Sequence, residues 1–167
     1  MIHEGAPEHH VEDVRPDAHG GPRRGVARGR EGQRQAADAA RAHLDRFVAA
    51  FERYQMDELA GLLREDVEQS MPPFDLWFAG REAVLRWWFG PGAGCAGSRL
   101  VPAGSANGQP AFGQYKPADG GGLVPWALVL FDLDGSGRAV AATFFLDHQR
   151  LFPRFGLSLD AISERER

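Results

Sequence analysis

The spacing of apolar residues changes once along this chain, and that change constrains the fold more than any other feature. Ala40, Leu44, Phe47, Phe51 and Tyr54 follow the i, i+4, i+7, i+11, i+14 spacing of one helical face, while Arg41, Asp45, Arg46, Glu52 and Arg53 fall largely elsewhere. That pattern predicts an amphipathic helix of about five turns starting near Gln35. Asp57 has the chemistry of an N-cap for a second, short helix carrying Leu59, Leu62 and Leu63. Residues 66–71 then alternate polar and apolar, as a strand does, until Pro72 and Pro73 stop it. Residues 74–79 are short, aromatic and extended, and a third helix over 81–89 ends at Gly90-Pro91. Beyond a Gly-rich loop the helical period is gone. Residues 99–103 and 111–116 form two weaker strands, and 123–133 and 138–148 form a strong pair joined by a turn at 134–137. Helices first and strands after imply an α+β fold: three N-terminal helices packed on a strongly curved, mainly antiparallel sheet, shaped as a cone-like barrel.

One domain accounts for a chain of 167 residues that is 43% apolar. Residues 1–34 stand apart, holding almost no large apolar side chains and four of the six histidines. Their composition predicts a disordered tail, with the domain over 35–160 and a polar C-terminal tail over 161–167. His9, His10 and His19 lack the frame of a metal site, and the arginines of 20–34 read as solvated. A nucleic-acid module usually carries a basic face, and a net charge of −4 with a pI near 5.8 does not call for one, so no direct DNA binding is expected. Cys95 is the one cysteine, which excludes an internal disulfide. The longest apolar run, 123–131, is interrupted by Pro125 and too short to span a bilayer as a helix. No secretory signal pattern opens the chain. A soluble, cytoplasmic protein with no membrane partner is expected.

Two short motifs fail on context. Gly92-Ala93-Gly94-Cys95-Ala96-Gly97 matches G-x-G-x-x-G, but a helix precedes it and a strand follows, the reverse of a dinucleotide-binding turn. Asp132 to Gly137 matches the start of a calcium loop, yet the twelfth position is Thr143 and the flanks are strands. Cys95 has no base nearby in sequence to make it a nucleophile.

The aromatic residues suggest a pocket. Trp77, Trp87, Trp126 and Phe145 are candidate walls for a flat apolar ligand, with Ser70 and Gln114 as polar contacts, although aromatics more often simply fill a core. Asp147 and His148 end the apolar strand, and only one of two neighbours faces inward. The pattern Thr143, Phe145, Asp147 favours Asp147 on the pocket side, where a carboxyl would have a raised pKa and serve as acid or base. The competing reading pairs Asp147 with Arg99 or Arg150 to hold the sheet.

Several stretches carry a family resemblance. Ser70-Met71-Pro72-Pro73, Leu76-Trp77, Gly80-Arg81 and Ala83 resemble the first half of the SnoaL-like domain, of the nuclear transport factor 2-like superfamily, found at the C-terminus of bacterial extracytoplasmic-function sigma factors. So do 97–102 and 110–115, and most closely 143–147 with 151–153 and 155–157. The chain shows no room for the two helical promoter-reading regions of such factors. The resemblance implies a pocket domain that binds a small apolar molecule or a protein, in a regulatory or sigma-factor-derived role. It also implies an alternative, an enzyme without metal or cofactor: a polyketide cyclase, isomerase, dehydratase or epoxide hydrolase of natural-product metabolism. In that alternative Asp147 is the acid–base, Arg99, Gln114 or Tyr115 polarises an oxygen, and Glu68 is a second carboxylate. Relatives of this fold often pair through the outer sheet face, so a homodimer is plausible.

Overall fold

The computed structural model describes residues 23–163. Helix α1 (Arg23–Glu52) leads to α2 (Met56–Leu62), β1 (Leu63–Ser70), β2 (Trp77–Ala79) and α3 (Arg81–Trp88). A 3-10 turn at Pro91–Cys95 then opens the run β3 (Arg99–Ala106), β4 (Gln109–Pro117), β5 (Leu123–Leu133) and β6 (Ala139–Phe145). The chain closes with α4 (His148–Leu151) and a second 3-10 turn, Phe152–Phe155.

Helix α1 begins at Arg23, well before Gln35. Every described side chain from Glu31 to Ala39 is exposed, so this part of the helix rests on the propensity of Ala, Arg, Gln and Glu rather than on packing. Residues 23–34 are therefore helical where a tail was expected; His9, His10 and His19 lie outside the described residues. The helix ends where Tyr54 takes a positive φ of 58°. The Tyr54 ring lies 4.5 Å from that of Phe89, tilted by 56°, and its hydroxyl donates to the Trp88 carbonyl, which ties the end of α1 to the end of α3. Gln55, not Asp57, precedes α2. Asp57 sits in the first turn, where its charge favours the helix N-terminus.

The six strands form one sheet in the order β2-β1-β6-β5-β4-β3. Every neighbouring pair is antiparallel except β1 and β6. Register shifts at Pro102/Ser105, Gln114/Tyr115 and Asp132/Leu133 accompany the bend, as bulges do. The sheet is curved but open, with β2 and β3 as edges, so the cone is not a closed barrel. The two weaker strands are longer than expected because Asn107 and Gly108, with φ of 52° and 79°, make a two-residue turn that extends their pairing to Ala106 and Gln109. At the β5–β6 turn Gly137 has φ of 85°, and a Cβ there would lie 2.8 Å from Ala40 Cα, so glycine lets α1 press on the hairpin.

Both faces of the sheet are buried over much of their area. The concave face holds Phe112, Val129, Phe131, Ala142 and Phe144 against Phe47 and Phe51 of α1 and Trp88 of α3. The convex face holds Tyr115 and Leu128 against Phe152 and Leu157 of the C-terminal segment. Near the end of the described residues, Ile162 bridges Leu123 through two backbone hydrogen bonds of 2.9 and 3.1 Å. No helix among the described residues is long and apolar enough to cross a membrane.

Candidate functional site

A cavity of about 240 Å³ lies between the concave face and the segment that joins α3 to β3. Phe51, Trp87, Trp88, Trp126 and Phe144 give it aromatic walls. Its polar groups are Gln69 from β1, Gln114 and Lys116 from β4, and the Cys95 thiol.

Strand alternation decides which residues reach it. On β4, Gln114 and Lys116 share the inner face and Tyr115 takes the other. Cross-strand register carries this through the sheet. Gln114 lies opposite Leu100 and Ala127, and Val129 opposite Phe144, all inward. Arg99 lies opposite Tyr115, Leu128 opposite Phe145, and Ser70 opposite both Trp77 and Thr143, all outward.

The sequence-based candidates therefore divide. Trp87, Gln114 and Trp126 line the cavity. Ser70, Trp77, Glu68, Arg99, Tyr115, Phe145 and Asp147 do not. Ser70 donates to Thr143 Oγ1 at 3.3 Å on the convex side. Trp77 is 58% exposed on edge strand β2, and Glu68 is exposed. Tyr115 is buried in the convex cluster, where its hydroxyl donates to the Ser158 carbonyl at 2.8 Å; burial raises its pKa. Asp147 follows the end of β6, with a side chain 50% exposed and 3.7 Å from Arg150. It is the Arg150 pairing, not an inward carboxylate, that the structure contains. The face differs by one residue from the expectation: Thr143 and Phe145 point outward while Ala142 and Phe144 point inward, and Asp147 lies past the end of the strand. Because the C-terminal segment covers the convex face, both faces are apolar and the pattern alone does not tell them apart. His148 also stays outside; Nδ1 lies 3.0 Å from the Trp126 carbonyl.

The buried amides set the chemistry of the cavity. Gln69 is 1% exposed and its Oε1 accepts from Trp88 Nε1 at 2.5 Å. Gln114 is also 1% exposed; its Nε2 donates to Ser98 Oγ at 3.1 Å, while its Oε1 is buried with no hydrogen-bond partner. Such an unpaired acceptor costs about 1–3 kcal/mol. Lys116 Nζ sits 3.6 Å from the centre of the Trp126 ring, a cation–π contact. Burial pushes the Cys95 thiol above its usual pKa, against a smaller opposing pull from the Lys116 charge and from Gln114 and Ser98. The thiol is therefore a neutral wall group at neutral pH. No Asp, Glu or His lines the cavity, and among the described residues no cluster of His, Cys, Asp and Glu is suited to a metal ion. Sequence reasoning missed Lys116, Gln69 and Ser98. Lys116 had a signal, its place two residues after Gln114 on the same strand face.

A larger groove of about 520 Å³ runs between α1 and the far parts of β3, β4 and β5, past Leu44, Pro102, Phe112 and Leu133. Its polar lining, Arg41, Asp45, Ser105, Gln109 and Asp132, is exposed apart from the half-buried Gln109, and none of the buried polar side chains lines it.

Solved structures with this arrangement identify the architecture. A nuclear transport factor 2-like protein from Burkholderia xenovorans LB400 superposes with a TM-score of 0.53 at 17% identity, covering 66% of this chain and 85% of that one. The chain has the nuclear transport factor 2-like fold. A putative ketosteroid isomerase from Kribbella flavida DSM 17836 shares the nuclear transport factor 2-like architecture at a TM-score of 0.52 and 19% identity, covering 65% of this chain and 77% of that one. TerC, crystallised with polyporic acid, superposes at 0.53 and 12% identity over 71% of this chain and 98% of its own. In sequence, the chain is 35% identical over 116 residues to the extracytoplasmic-function RNA polymerase sigma factor SigG of Mycobacterium tuberculosis. That match covers 68% of this chain and 30% of SigG, so the chain spans about a third of the length of the curated relative it matches. No protein-family profile matches.

Proposed function

We propose that this nuclear transport factor 2-like domain binds a small, flat, largely apolar molecule in its concave cavity, and that binding serves a regulatory role in a lineage shared with sigma factors. The observation that carries the reading is Gln114, which lines the aromatic cavity and whose buried carbonyl oxygen has no hydrogen-bond partner. A buried acceptor of this kind is served by water or by a ligand hydroxyl or N–H. The sequence match to SigG supports the lineage. The cavity is smaller than those that hold drug-sized molecules, roughly 300–1,000 Å³, which favours a ligand of one or two rings.

The enzyme alternative needs a carboxylate inside the cone. Asp147 and Glu68 stand outside it and no carboxylate lines the cavity, so the binding reading is the stronger. Calorimetry and thermal unfolding with 2-naphthol as probe test it. The expected result is saturable one-site binding with a rise in Tm, about 2.7 kcal/mol of stabilisation at a hundredfold excess over Kd. No binding and no Tm shift at the solubility limit of the probe would overturn it.

A further inference from the structure

We infer that the cavity selects aromatic hydroxy acids: planar ligands with a hydroxyl for the Gln114 carbonyl and an anionic oxygen for the Lys116 ammonium. The inference rests on the binding reading above and narrows it to a ligand class. Three features support it. The Gln114 carbonyl oxygen has no hydrogen-bond partner while one N–H of its amide donates to Ser98, so the oxygen is the atom of this side chain left to accept from a ligand donor. Lys116 lines the same cavity, stacked on Trp126, and among the described residues it has no carboxylate partner in salt-bridge range. With no acidic group on the lining, the one formal charge facing the cavity is positive, which favours an anion over a cation. Gln114 and Lys116 stand two residues apart on β4, about 7 Å along the wall, a separation that suits substituents at opposite ends of a ring system. Trp87, Trp126 and Phe144 offer faces and edges to the ring itself.

The test is calorimetry on the full chain with four probes: 6-hydroxy-2-naphthoate, 2-naphthol, 2-naphthoate and naphthalene-2-carboxamide. The hydroxy acid is expected to bind about tenfold tighter than the naphthol or the naphthoate, each of which lacks one contact. Lys116→Gln, a substitution at a partly exposed position, is expected to weaken the hydroxy acid about tenfold and to abolish its preference over 2-naphthol. Equal affinity for all four probes would overturn the hydroxy-acid assignment and leave the cavity as an unselective apolar binder. Binding by none of the four would overturn the assignment and the binding reading together. An unchanged hydroxy-acid affinity in Lys116→Gln would remove the anion contact.

Discussion

The two faces of the sheet are built from alternating residues of the same strands, yet they finish their polar chemistry differently. On the convex face the polar groups close on the protein itself: Tyr115 donates to Ser158, Ser70 to Thr143, and His148 is held against the Trp126 and Leu146 carbonyls. The C-terminal segment packs directly on this side, and Gly113 makes room for it; a Cβ there would lie 2.6 Å from Leu157 Cδ1. On the concave face the helices arch over the sheet, and the buried carbonyl oxygen of Gln114, a residue of the cavity wall, remains unpaired. Burial alone does not mark a site, because both faces are buried. What separates them is whether the buried polar atoms find partners within the chain.

The largest expected effect breaks the convex side. Phe152 is fully buried, and Phe152→Ala is expected to cost about 3–5 kcal/mol of stability in urea or thermal unfolding. At temperatures where the variant stays folded, the probe affinity of the cavity should be unchanged. Gln114→Leu should do the reverse. It loses the bond to Ser98, worth about 1 kcal/mol, and removes an unpaired acceptor that costs about 1–3 kcal/mol, so stability should stay within ~1–2 kcal/mol while hydroxyl recognition is lost.

A third prediction concerns pH. The Cys95 thiol titrates above its ordinary value because burial penalises the thiolate. Its alkylation by iodoacetamide should keep accelerating with pH past 9.0, the value for an unperturbed thiol, with no plateau near neutrality. The smallest effect belongs to Asp147→Asn. A half-exposed carboxylate paired with Arg150 at 3.7 Å contributes about 0–1 kcal/mol, and neither stability nor probe binding should move measurably. A loss of probe binding in this variant would return Asp147 to the site.

Much of the architecture was legible in the sequence. The heptad-like face from Ala40 to Tyr54, the stop at Gly90-Pro91 and the turn at 134–137 all mark real boundaries, because each reflects a local preference that packing reinforces. The open edge of the sheet was not legible, since closure depends on long-range pairing. Nor was the helix before Gln35, which carries no apolar stripe. At the site, Gln114, Trp87 and Trp126 were found as polar and aromatic residues on apolar elements. Arg99, Tyr115, Phe145 and Ser70 lie on the outward face, where Tyr115 and Phe145 pack against the C-terminal segment, and a strand buried on both sides gives no alternation from which to choose; Asp147 lies past the end of β6.

If Gln114 anchors a ligand in the concave cavity, the lone thiol on the same wall offers a direct reading. Cys95 lines the same cavity and is the one cysteine in the chain, so its alkylation rate reports whether the space is filled. Saturating 2-naphthol is expected to slow that rate at least tenfold in the wild-type protein, and Gln114→Leu is expected to need about ten times more naphthol for the same protection. Identical protection curves in the two proteins would contradict the account.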